Sequence, residues 1–316
     1  MLGSLKPRQV TVDTARTVVS RPKRVQRATL IIVVVLALAL INAAAHNSQI
    51  DFSTIGSFLF DPRVIDGVRA TVVLTIVSMA IGIPAGLVLA VMRGSSNGSL
   101  RAISWFYIWI FRGTPLLVQL ILWYNLALVF PTISLTIPFV DLSLFSVDTN
   151  SVVTPLVAVI LALSLNEGAY MAEIMRSGIT SVNEGQREAA KALGMTPWLT
   201  LRLVVLPQAI RTALPPTGSE VINMLKSTSL VSVVAYSELL TSVTSIYNQN
   251  FLTVELLIVA SLWYLALCTI LTIGQSYIER HFGRGYSAEQ PRRPALRTFV
   301  DAMSPRLFGG GGKQSG

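Results

Sequence analysis

Charge is scarce in this chain. Only 13% of its 316 residues are Asp, Glu, Lys or Arg, 52% are hydrophobic, and the mean hydropathy is +0.61. A soluble domain carries about a quarter charged residues. The deficit, with several apolar runs near the ~20-residue length of a membrane span, excludes a soluble globular protein and indicates a polytopic membrane protein. Cysteine is nearly missing too. Cys268 stands alone inside an apolar run, so neither an intrachain disulfide nor a thiolate cluster can form, and packing is its expected role. The two histidines, His46 and His281, are far apart and outside the apolar runs, which argues against a histidine metal pair. No phosphate-binding loop of the GxxxxGK-Ser/Thr type occurs: Gly309–Gly312 and Lys313 are followed by Gln314. HExxH and CxxC are also missing. The chain is therefore expected to be no enzyme and to hold no nucleotide, cofactor or metal of its own.

What charge there is has a pattern. The formal net charge is +9, and the basic residues gather in tails and alternate loops. That distribution reads as membrane orientation and not as a nucleic-acid surface. Residues 1–27 form a basic tail, expected to be disordered. Residues 28–45 form an uninterrupted apolar run. It reads either as the apolar part of a signal peptide, with Ala43–Ala45 at a cleavage site, or as a retained anchor; its length and the long basic segment before it favour the anchor. Residues 46–66 form a polar loop. Spans are then expected over 67–92, 102–130, 154–179, 209–236 and 251–278, the second of these kinked at Arg112-Gly113-Thr114-Pro115. A basic, Gly- and Pro-rich tail occupies 281–316 and is expected to be disordered. Loops 46–66, 131–153 and 238–250 hold a single basic residue, Arg63. The positive-inside rule then puts both termini and the 180–208 loop in the cytoplasm.

Polar residues at membrane depth are costly and usually face a bundle interior or a cavity. Gln119, then Asn166, Glu167 and Tyr170, then Glu220, Asn223 and Lys226 are of this kind. At 3.6 residues per turn, 166 and 170 share a face with Glu167 beside it, and 220 and 223 share a face with Lys226 beside it. A polar pathway between three spans is one reading. Interhelical ion pairing, for instance Glu220 or Glu167 with Lys226, is the other.

The 180–208 loop holds a polar, helix-prone stretch. Glu188-Ala189-Ala190 is followed after three residues by Gly194, and nine residues later by Val204, then Leu206-Pro207. Gly194 can end a first helix in a left-handed cap, Thr196 and Pro197 can start a second, and Pro207 is expected to separate this hairpin from the next span. The small Ala189 and Ala190 would let the first helix seat closely against a partner.

This stretch resembles the EAA motif of permease subunits of bacterial ABC importers, with Val204 in place of Ile. Phe111–Gln119, Ala169–Glu173 and Leu225–Ser232 resemble the polar amino acid branch of that family, which carries histidine, glutamine, glutamate or arginine. The similarity covers about 67–284. It implies an all-α permease core over 67–280 with five spans, preceded here by one extra N-terminal helix, in the bacterial cytoplasmic membrane. It also implies three kinds of partner: a cytoplasmic ATPase dimer that binds ATP and Mg, a second permease subunit, same or homologous, and an extracytoplasmic amino-acid-binding protein. Glu188, Ala189, Ala190, Gly194, Leu206 and Pro207 would then couple to the ATPase. The competing reading, an ion-coupled secondary transporter using Glu167, Glu220 and Lys226, leaves the EAA spacing unexplained. So does a membrane scaffold or sensor, which has no need of a polar stripe.

Overall fold

Helix starts are written plainly in this sequence. In the computed structural model, which describes residues 23–46, 51–137, 142–234 and 236–282, two of the longest helices begin at a capping side chain followed by proline. Asp61 accepts from Arg63 N–H at 2.9 Å, and Pro62 opens the helix. Thr154 accepts from Val157 N–H, and Pro155 opens the next. A short side-chain acceptor satisfies an orphan N–H, and proline fixes the first turn without costing a bond. The Arg63 guanidinium beside Asp61 holds that carboxyl below the usual carboxylate range.

The chain divides into two units. The described part of the first is helix α1 (Lys23–Ala45). It begins inside the basic segment, so Lys23–Arg27 are helical and not part of a structureless tail. At 1.5 Å per residue it is about 35 Å long, but its described apolar stretch, Ala28–Ala39, is shorter than a span. The tail residues 1–22 and 283–316, expected to be disordered, lie outside the described residues.

The second unit starts with α2 (Phe52–Leu59), capped by Asp51, within what the sequence suggested was a loop. α3 (Pro62–Arg93) follows, then α4 (Gly98–Gly113), α5 (Leu116–Tyr124) and the single turn α6 (Leu126–Val129). Strands β1 (Thr132–Ile137) and β2 (Leu142–Asp148) pair antiparallel, Thr132 opposite Asp148. A loop was expected there; its alternating Ser/Thr and branched apolar residues form a hairpin instead. After α7 (Thr149–Val152) come the central helix α8 (Pro155–Thr180), then α9 (Glu184–Ala192), α10 (Pro197–Thr200), α11 (Leu206–Ser227), α12 (Leu239–Asn250) and α13 (Thr253–Phe282). Residues 239–250 were expected to be a loop as well. Leu239, Val243 and Ile246 recur at helical spacing and are buried, which makes α12 an amphipathic helix.

α3 and α8 form the heart of the unit, in contact through glycine. A Cβ on Gly86 would lie 2.3 Å from Met171 Cβ, and one on Gly82 would lie 2.8 Å from Glu167 Cγ. Small residues let membrane helices approach closely where apolar burial gives no driving force. Leu74, Leu120, Leu163, Met171 and Val231 fill the core around this seam.

Among the described residues, α3, α8 and α13 are each long and apolar enough to cross a membrane. α4 with α5 qualifies as one broken pair, bent by 100°. The break falls at Thr114-Pro115, where a kink was expected, but it is sharper than a kink. α11 has a span's length and is too polar to be one by composition: Arg211, Glu220, Asn223 and Lys226 interrupt it.

Candidate functional site

The first candidate region is the α9–α10 hairpin. Asn183 caps α9, and Gly194 ends it at φ +74°, the left-handed conformation that favours glycine. Thr196 accepts from Leu199 N–H, and Pro197 opens α10. Two details differ from the sequence reading. Ala190 is only 3% exposed, so it seats the hairpin against its own chain and is not offered to a partner. Pro207 does not separate the hairpin from the next span. α10 runs through a π-helical turn, Leu201–Val205, into α11, whose first turn contains Leu206 and Pro207. Leu206 N–H bonds to Leu201 O, five residues back, and the wider turn makes room for a ring that lacks an N–H.

The hairpin is braced at its base. Val182, Val205 and Ala209 are buried together with Ile179 and Leu201 against them. Arg187 donates to Ile179 O at 2.6 Å, satisfying a carbonyl near the end of α8. The tip is open: Glu188, Ala189 and Lys191 are exposed, and Leu193 and Trp198 are 81% and 68% exposed. Neither large apolar residue was singled out from the sequence, although Leu193 sits inside the EAA spacing.

The second region lies in the bundle. Gln119 and Asn166 sit at the α4–α5 break. Gln119 Nε2 donates to Phe111 O at 2.9 Å and to Thr114 Oγ1 at 2.8 Å. Asn166 Nδ2 donates to Phe111 O at 2.9 Å and to Gln119 Oε1 at 3.2 Å. The broken helix leaves carbonyls without intrahelical partners, and these two amides supply the donors.

Glu167, one residue further along α8, is 3% exposed, and its Oε1 has no hydrogen-bond partner. The buried hydroxyls of Ser78 and Ser164 are likewise unpartnered. Glu220 on α11 is close enough to interact electrostatically with Glu167. Glu220 is half-buried, and Asn223 and Lys226 are exposed on the same helix. Among the described residues, Lys226 forms no ion pair with either glutamate; the pairs are Arg63–Asp61, Arg69–Asp66 and Arg176–Glu173. Tyr170 lies under Arg112, whose Cζ is 5.3 Å from the ring centre.

Sequence reasoning passed over Glu238. It is fully buried and caps α12, accepting from Thr241 N–H at 2.8 Å, while its other oxygen accepts from Tyr264 at 2.9 Å and Thr71 at 3.4 Å. One carboxylate thus ties α3, α12 and α13 together. Its only sequence signal was a glutamate at the foot of an i, i+4, i+7 apolar pattern. Among the described residues, no group of three or more His, Cys, Asp or Glu is placed to hold a metal.

Membrane-length helices packed through glycine, ionisable side chains on inner faces, and a braced helical hairpin between two of those helices define a membrane subunit of a transport system. The chain belongs to the family of binding-protein-dependent transport system inner membrane components, whose model matches residues 82–284. The permease of the arginine transport system ArgU from Corynebacterium glutamicum is 46% identical over 272 residues, 86% of this chain and 84% of that protein. That alignment is longer than 67–284, so the likeness extends beyond the core to which the motifs pointed. The glutamine transport system permease GlnP of Escherichia coli is 31% identical, covering 73% of this chain and 97% of that protein. A crystal structure of an amino acid ABC transporter with histidines superposes at TM-score 0.63 with 34% identity, over 73% of this chain and 99% of that one. An inward-facing MetNI methionine ABC transporter, 20% identical at TM-score 0.53, shares the fold.

Proposed function

We propose that this chain is the membrane subunit of an ATP-driven importer for a polar amino acid. The observation that carries this reading is the α9–α10 hairpin. It has the EAA spacing, a glycine at φ +74° and a tip that exposes Leu193 and Trp198. Exposed apolar side chains at the tip of a charged helical hairpin, Leu193 and Trp198 with Leu199 beside them, fit a surface buried by a protein partner. That partner is a cytoplasmic ATPase dimer, which supplies the nucleotide and magnesium sites that this sequence lacks. Glu188, Ala189 and Gly194 shape the docking helix, Ala190 anchors it, and Leu206-Pro207 join it to α11. The names of the relatives, which transport arginine and glutamine, support an amino acid as cargo.

The coupling has a physical route. α10, the π-helical turn and α11 form one continuous helical run from Pro197 to Ser227. A push at Trp198 is therefore delivered along the helix that carries Glu220, Asn223 and Lys226. Arg187 transmits the same push to α8, which carries Asn166, Glu167 and Tyr170. Rigid elements that join the driven surface to the pathway bias a two-state bundle in this way. The pathway runs between those two helices, with Gln119 and Asn166 holding the broken helix beside it. A second permease subunit, same or homologous, covers the exposed face of α11, and an extracytoplasmic binding protein delivers the cargo.

The test replaces Leu193 with Ser and Trp198 with Ala in the complex with its ATPase. Loss of ATPase co-purification and at least about a tenfold fall in uptake are expected, with the permease still monodisperse in detergent. Full ATPase recovery and normal uptake in the double variant would sink the docking role.

A further inference from the structure

Two clefts adjoin at the membrane end that carries the hairpin. One, of about 370 Å³, is lined by Arg93, Arg112, Tyr170 and Glu173 together with Trp105 and Trp109. The other, of about 390 Å³, is lined by Arg93, Arg101, Glu173, Arg176 and Thr180. They share Arg93 and Glu173, and between them the two clefts are lined by four guanidiniums and one carboxylate. Two of the four are engaged: Arg176 holds Glu173 at 2.8 Å, and Arg112 lies over Tyr170. Arg93 and Arg101 have no carboxylate within ion-pair distance among the described residues. The wall beside them is aromatic and open. Trp105 and Trp109 stack with ring centres 6.0 Å apart and are 49% and 59% exposed, with Phe106 and Ile103 exposed next to them.

Charge and apolar surface meet here as they do at a lipid headgroup. Two unpaired guanidiniums at the end of α3 and the start of α4 match a phosphate, which a planar guanidinium binds through paired N–H groups. The tryptophan wall, one to two turns deeper, matches the interfacial aromatic belt and the upper acyl chains. Basic pockets between membrane helices take anionic headgroups for these reasons. We infer that the adjoining clefts at Arg93 and Arg101, walled by Trp105 and Trp109, bind the headgroup of an anionic phospholipid from the leaflet on the hairpin side. The first cleft shares Tyr170 with the proposed pathway, but the headgroup contacts, Arg93 and Arg101, belong to neither the pathway nor the ATPase-docking hairpin.

The full-length chain in phosphatidylcholine discs is titrated with brominated phosphatidylglycerol and, separately, with brominated phosphatidylcholine, and tryptophan quenching is followed. Phosphatidylglycerol is expected to quench saturably at the lower mole fraction. At about fivefold per basic residue near the surface, the R93Q/R101Q variant should lose roughly twentyfold in apparent affinity, and R93K/R101K should recover much of it. W105F/W109F should lose the selective quenching, while a rise in melting temperature on adding phosphatidylglycerol, expected of the unaltered chain, should persist. Equal curves for the two lipids, or an unchanged preference in R93Q/R101Q, would overturn the site. Displacement of the lipid by free glycerol phosphate would show an anion site without lipid selectivity, and displacement by an amino acid would show a cargo site. Either result overturns the inference.

Discussion

Glu238 shows how much one side chain can hold in this bundle. It accepts from Thr241 N–H, Tyr264 and Thr71, which belong to three different helices. Glu238→Ala leaves Thr71 buried and Thr241 and Tyr264 half-buried without that acceptor, at about 1–3 kcal/mol for the group orphaned most completely. The purified E238A variant should therefore melt several degrees lower than wild type, and Tyr264→Phe, which removes only one bond, should melt measurably higher than E238A. Equal melting of E238A and wild type would contradict the hub. The residue was not legible in the sequence, because its partners at 71 and 264 are distant along the chain and only folding brings them together. The acidic and amide residues inside spans were legible, since polarity in an apolar run is conspicuous. What each one does was not. Asn166 and Glu167 are neighbours in sequence, yet one donates to a backbone carbonyl and to Gln119 and the other has an oxygen without a partner.

Among the elements, the α4–α5 break is the one whose position was legible and whose form was not. Gly113 and Pro115 mark a discontinuity in any helix, but whether the chain kinks or turns by 100° depends on what receives the freed carbonyls. Here the receivers are Gln119 and Asn166, both of which reach Phe111 O. Because they share that acceptor and also bond to each other, their contributions are not independent. Gln119→Leu and Asn166→Leu should each destabilise the detergent-solubilised protein by about 1–3 kcal/mol. The double variant should cost less than the sum, by about 0.5 kcal/mol or more. Strict additivity in thermal melts would mean that the two amides do not act as one clamp. The β1–β2 hairpin and α12 were missed for a different reason. Both are short and flanked by apolar spans, and their polar composition masks an alternating pattern in one and a helical pattern in the other. The cap of α10 was easier, because capping chemistry is local and needs no tertiary partner; the caps of α3 and α9, Asp61 and Asn183, stand in segments read as loops and were not singled out.

For the whole molecule, orientation follows from a count of Lys and Arg that no single element reveals. The 93–101 turn and the 180–208 loop hold basic residues, while 131–153 and 238–250 hold none. The fold agrees in parity: α3 leads into the 93–101 turn, α8 leads from the basic-free 131–153 segment into the 180–208 loop, and α13 starts beside α12 and ends at Arg280. In the orientation proposed from that count, with the hairpin in the cytoplasm, a motor there would reach Trp198, and α12 and the β-hairpin would lie on the side from which cargo is proposed to be delivered. The single native cysteine makes this directly testable, because Cys268→Ala gives a background without thiols. In that background Gln186→Cys, exposed on α9, and Gln249→Cys, exposed on α12, place one thiol at each end of the bundle. A membrane-impermeant maleimide added to intact cells, after opening of any outer layer, should label Gln249→Cys and leave Gln186→Cys untouched until the membrane is permeabilised. The reverse pattern would invert the molecule, detach the hairpin from any cytoplasmic ATPase and remove the physical basis of the coupling route, while leaving the fold and the family as they are.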